Sequence, residues 1–261
     1  MLFVISAFNL ELFYTLYYIS SERTQSKENI MVNRKSVSKI GGIELYFKRI
    51  FGLMAGAVGL TALTTFLMIW SGLVGNLIHN GGLSAAYYII AFGGLAVSIW
   101  AQARAFSMKP SSAALLLFLY SVMMGVVISP MILVSSPISI LLAIILAALM
   151  FGCMSLFGYK TVKDLSFLGV FLFLGMIGLI LVGVVSLFFP LGATFNTIVC
   201  LIGVLVFALF AAYDMQTLKN AYAVLSDNNQ KDQLAVLGAL HMYISFVALF
   251  QYILGLLNSR D

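Results

Sequence analysis

Apolar residues in this chain come in long unbroken runs rather than in alternation with polar ones. Seven runs stand out, at about 50–75, 85–106, 112–134, 138–159, 166–189, 195–217 and 234–257. Each is close to or above the roughly 20 mostly apolar residues that carry a helix across the hydrocarbon core of a bilayer. The runs are apolar on every side and lack the alternation of a barrel strand. Helix is the state in which such a lipid-embedded backbone satisfies its own hydrogen bonds. Gly, Pro, Asn, Ser or charged residues separate one run from the next, and the connections are short apart from 218–233. Short connections make neighbours antiparallel. The pattern predicts an all-α polytopic membrane protein, a seven-helix bundle over residues 46–258 behind a polar and aromatic lead over residues 1–45, with no soluble domain of any size.

Composition sharpens this picture. Of the 261 residues, 62% are hydrophobic and 9% charged, whereas soluble domains run at about 45–50% and about 25%. A chain this poor in polar groups cannot cover a water-facing globule. The net charge of +5 and a pI near 9.2 would suit nucleic acid, but seven of the fourteen cations precede residue 50 and the rest are scattered. They orient the chain instead. Arg34, Lys35, Lys39, Lys48 and Arg49 precede or open the first run, Arg104 and Lys109 follow the second, Lys160 and Lys163 the fourth, Lys219 and Lys231 the sixth, while the intervening loops carry none. By the positive-inside rule the amino terminus is cytoplasmic and the carboxyl terminus, with Arg260 and Asp261, lies opposite.

Residues 1–19 are apolar and aromatic but contain Asn9 and Glu11, and no Lys or Arg precedes Arg23. The segment therefore lacks the basic opening and small-residue cleavage site of a signal peptide. Two readings stand: an interfacial or additional membrane helix, or residues upstream of a native start at Met31, where the polar lead MVNRKSVSKIGG begins. Cys153 and Cys200 sit singly in apolar runs with no His nearby, a pattern of small buried hydrophobes rather than of a zinc site.

Polar groups at depth carry the most information, because a charge at the centre of a span costs about 2.5–3.5 kcal/mol. Two stand out: Asp214 in ALFAAYDMQTLK and Arg104 in SIWAQARAFSMK. Each is about one turn inside the cytoplasmic boundary, and their opposite charge makes them natural partners. Snorkelling of Arg104 and an interfacial place for Asp214 are the simpler alternatives. On the seventh run, Gly238, His241, Ser245 and Ala248 recur at spacings of three and four. They form a narrow stripe that should face the bundle interior. His241 is there either a proton-responsive partner of Asp214 or a donor to a neighbouring carbonyl. Gly52, Gly56 and Gly59, and Gly175, Gly178 and Gly183, suit close helix approach, and Pro130 should kink the third helix.

Several chemistries are argued against. The seventh run has no Lys to form a retinal Schiff base, and Asp214 has no second buried carboxylate for an aspartyl protease. His241 and Ser245 share one helix, and Ser71-Gly72 follows Ile69 where a rhomboid-like site needs Gly. No phosphate loop of the Gly-x-x-x-x-Gly-Lys type occurs. The reading is of a non-enzyme.

Four segments in order resemble the Bax inhibitor-one family, the transmembrane Bax inhibitor motif proteins. They are YFKRIFGLMAGAVGLTA with Arg49, Met54 and Thr61; Arg104-x-x-x-Met108-x-Pro110 followed by Tyr120 and Gly125; AAYDMQTLKNAY; and GALHMYISFVALFQYILGLL. The resemblance covers about 210 residues, from Tyr46 to Leu257. As that of a bacterial member, it implies an inner-membrane location, six helices around a central one and a slow cation leak, typically of calcium. It also implies a pH-responsive pair of Asp residues on the sixth and seventh helices, latched by an Arg of the second. Carried over by position, the sixth-helix acid is Asp214 and the latch is Arg104. The chain departs from the pattern in the last span, where Ser245 replaces the second acid and Ala248 replaces an Asn. A hydroxyl cannot supply the like charge that a dyad needs. Three outcomes stay open: control by Asp214 and Arg104 alone, a switch rebuilt on Asp214 and His241, or a bundle that does not conduct. Some bacterial relatives dock on membrane-bound protease complexes, so an interaction role through the lead and the 218–233 loop, with Asp227, Lys231 and Asp232, is the alternative. Neither role needs an organic cofactor, though calcium could touch Asp214 in transit.

Overall fold

A computed structural model describes residues 36–79, 82–103, 108–189, 192–225 and 228–259. Among these, the helices are α1 (Ser36–Trp70), α2 (Ala85–Ala103), α3 (Pro110–Val134), α4 (Pro137–Lys160), α5 (Ser166–Phe188), α6 (Ala193–Val224) and α7 (Asn228–Asn258). Six of them contain a stretch long and apolar enough to cross a membrane; the apolar part of α2, Ala85–Ser98, is shorter. The chain is an all-α polytopic membrane protein with one small addition that the apolar runs did not reveal. After α1 the backbone turns at Gly72 in the left-handed region (φ 73) and passes through a 3-10 turn at Leu73–Leu77. It then pairs β1 (Ile78–His79) antiparallel with β2 (Gly82–Leu83). The first run therefore stops being α-helical at Trp70 rather than at residue 75, because only Gly accepts that φ without strain.

Helix and apolar run part company most at the other end of the molecule. The sequence places a long loop at 218–233, but α6 continues to Val224 and α7 begins at Asn228. Apolar runs measure lipid thickness, whereas a helix persists wherever one face can still be buried. Leu218, Ala221, Tyr222 and Leu225 supply that face and are all buried.

Packing is unequal. α1 lies against α3 and α7, α4 against α6 and α7, α2 against α3, and α5 against α6. α7 also packs on α6 and α3. Its membrane stretch is 94% buried inside the protein, against 22–44% in the other five spans. α7 is thus enclosed chiefly by α1, α3, α4 and α6, with α2 and α5 outside them, rather than by six equivalent neighbours. A helix sheltered by protein need not be oily, so this is where His241, Ser245 and Gln233 are buried. The outer helices show the inverse of a soluble surface, with Leu141, Leu149, Phe171 and Leu181 exposed.

Contacts at the two ends fix the alternation of the helices. Arg49 pairs with Asp232, Gln233 Nε2 donates to the Met108 carbonyl at 2.9 Å, and Lys219 Nζ donates to the Tyr159 carbonyl at 2.7 Å. These belong to one end. At the other, Asn258 Nδ2 donates to Ser135 Oγ at 2.7 Å.

The expected glycine contacts are met in part: a Cβ at Gly56 would stand 3.3 Å from Phe118 and one at Gly175 3.2 Å from Val206. Gly52, Gly59 and Gly178 have open space where a Cβ would stand. The close approaches are at Gly158, where a Cβ would sit 2.0 Å from the Ala212 carbonyl oxygen, and at Gly125, 2.7 Å from the Thr61 carbonyl. Spacing within one helix cannot tell which face meets a neighbour. Pro130 stays inside α3 and is buried.

Candidate functional site

Asp214 is placed by α6 in the interior, 5% exposed. It is ten residues before the end of α6 at Val224, about 15 Å along the axis at about 1.5 Å per residue. The sequence places it about one turn inside the cytoplasmic boundary; α6 continues past that boundary, so Asp214 is not at a helix end.

Its two oxygens meet α7 at residues one turn apart. Ser245 Oγ donates to Asp214 Oδ2 at 2.9 Å, and His241 Nδ1 stands 3.7 Å from Asp214 Oδ1. Residues four apart share a helix face, so His241 and Ser245 present one polar edge to the carboxylate. Both are buried, at 7% and 4% exposure. Gly238 and Ala248, the rest of the stripe, are buried as well. The 3.7 Å separation is too long for a direct hydrogen bond and suits an electrostatic contact when the imidazole is protonated. Arg104, the other residue singled out from the sequence, lies outside the described residues.

Ser245 therefore occupies the place from which a side chain on α7 reaches the sixth-helix acid. A hydroxyl there donates to the carboxylate, whereas a second carboxylate would repel it or share its proton. The arrangement can hold one buried negative charge with a neutral donor and a titratable ring. Among the described residues no group of three or more His, Cys, Asp or Glu side chains is placed to hold a metal ion.

The structure also reveals polar ties that sequence pattern missed. Gln216, two residues past Asp214, donates from Nε2 to the Lys163 carbonyl at 2.8 Å and accepts from the Leu165 amide at 2.8 Å. It anchors the α4–α5 connection to α6. Thr61 Oγ1 lies 2.7 Å from the Tyr243 hydroxyl, with the carbonyls of Ala57 and Ser121 at 2.9 and 3.0 Å. With the single Thr61 proton committed to one carbonyl, Tyr243 donates to Thr61. This fastens α1 to α3 and α7, and Tyr120 packs edge-on against Tyr243 with ring centroids 6.0 Å apart. Polar residues in apolar runs were the available signal, but Thr and Tyr are common enough at such positions to be passed over.

A family model described as Inhibitor of apoptosis-promoting Bax1 matches residues 44–261. A protein of Escherichia coli named Inner membrane protein YbhL is 32% identical over 221 residues, 84% of this chain and 93% of that protein. An uncharacterized protein of Borreliella burgdorferi is 29% identical over 240 residues, 91% of this chain and 97% of the relative. An uncharacterized membrane protein of Streptococcus pyogenes is 30% identical over 224 residues, 84% and 95% respectively.

Proposed function

Because the chain belongs to the Bax inhibitor-1 family of membrane proteins, we propose that it is a slow cation leak, for calcium by family resemblance, in which Asp214 controls passage. The observation that supports this reading is a carboxylate 5% exposed on a membrane helix, accepting from a hydroxyl and facing an imidazole of α7. An acid is costly in lipid and is kept there where it faces a pathway or a partner. A cation moving through the bundle needs oxygen ligands to replace its hydration. Asp214 supplies two, provided that its contacts with Ser245 and His241 yield. Arg104 would compete with the ion for the same carboxylate, as the latch the resemblance implies. With Ser245 in place of a second acid, coupling between two like charges is missing, so pH control is weaker than in relatives that have both. The reading has all seven helices spanning, the amino terminus cytoplasmic, and neither an enzymatic step nor a cofactor.

Flux of several cations into liposomes holding the purified chain, measured across a pH series, tests this. Asp214→Asn is expected to remove most of the pH dependence. An unchanged profile in that variant would reject the role given to Asp214.

A further inference from the structure

At the basic end of the bundle, an open cleft of about 680 Å³ lies between the first turns of the membrane part of α1 and the junction of α6 with α7. Tyr46, Lys48, Arg49, Tyr222, Lys231 and Asp232 are among its lining residues. Arg49 is paired with Asp232, which leaves the charges of Lys48 and Lys231 without a further acid in the lining among the described residues. Glu44 is one turn from Lys48 on α1 but does not line the cleft. The Lys231 ammonium is stacked 4.8 Å from the centroid of the Tyr222 ring, a contact that positions the cation and leaves its outer protons available. Beneath it, Tyr46 packs on Tyr222 with ring centroids 4.8 Å apart. The Tyr46 hydroxyl is buried with no hydrogen-bond partner among the described residues, an arrangement that costs free energy until an oxygen or a water meets it.

The cleft sits where the apolar stretches of α1 and α7 begin, at Gly42 and Gln230. Its lining includes Leu45, which is 69% exposed. Phosphate is a group that two ammonium ions recognise together through charge-assisted hydrogen bonds. A soluble phosphate has no use for an apolar flank, whereas a phospholipid places its phosphate at this depth and lays an acyl chain beside Leu45. We propose that this cleft binds the headgroup phosphate of an anionic phospholipid in the leaflet facing the basic end.

Native mass spectrometry of the full chain, released from a neutral detergent, tests the proposal with phosphatidylglycerol, phosphatidylcholine or inorganic phosphate added. Phosphatidylglycerol should be retained preferentially over phosphatidylcholine, and Lys48→Gln with Lys231→Gln should reduce its binding by about thirtyfold. Lys160→Gln with Lys163→Gln removes the same charge from the same end and should leave binding unchanged. Lys48, Lys160 and Lys163 are exposed and Lys231 is half-buried, and thermal melting without lipid checks that each variant folds. Three results would each overturn the proposal: equal retention of the two lipids, equal losses in the two double variants, or inorganic phosphate that displaces phosphatidylglycerol at matched concentration.

Discussion

At the scale of single residues, the Asp214–Ser245 contact stands where the family resemblance implies a second acid. The hydroxyl donates to a carboxylate that is only 5% exposed, so its removal leaves a buried acceptor unsatisfied. Ser245→Ala should therefore destabilise the protein by about 1–3 kcal/mol, read as a lower melting temperature in detergent. Ser245→Asp is the more informative change. It puts a second carboxylate where the hydroxyl now meets Asp214 Oδ2 at 2.9 Å, and two acids that close titrate as a coupled pair. Cation flux in the variant should depend on pH more steeply than in the parent, and an unaltered slope would count against Asp214 as the controlling group.

At the scale of elements, helix contacts are set by where small residues meet a neighbour rather than by how they are spaced. Gly158 faces the backbone of α6, with a Cβ position 2.0 Å from the Ala212 carbonyl oxygen, while Gly52 has nothing within 4 Å. Gly158→Ala must push α4 off α6 and should cost about 1–3 kcal/mol or more. Gly52→Ala should be neutral or slightly stabilising, since it meets open space and Ala is the better helix former by about 1 kcal/mol. Melting curves of the two variants side by side check the contrast. Equal losses would mean that α1 has a neighbour at Gly52.

At the scale of the whole molecule, the basic residues and the polar ties collect at one end, and the Ser135–Asn258 contact marks the other. The proposed orientation puts the basic end in the cytoplasm. In a background with Cys153 and Cys200 replaced by Ala, Ser71→Cys should react with a membrane-impermeant maleimide on intact cells. Lys163→Cys should react only after the membrane is opened. The reverse pattern would invert the protein and place the cleft in the other leaflet.

The sequence alone determined the class of the protein, because long apolar runs with few charges have one stable state in lipid, the helix. It also singled out Asp214, His241 and Ser245, since polar groups are conspicuous against Leu, Phe and Val. Their meeting was decided by tertiary structure. Which face of α6 turns toward α7 depends on packing at Gly158, Gly238 and their neighbours, and an isolated run carries no record of it. The same holds for the length of α6 beyond the lipid, where burial of Leu218 and Tyr222 sustains the helix, and for the enclosure of α7. Periodicity and hydropathy are local properties, whereas enclosure belongs to the neighbours that surround a helix.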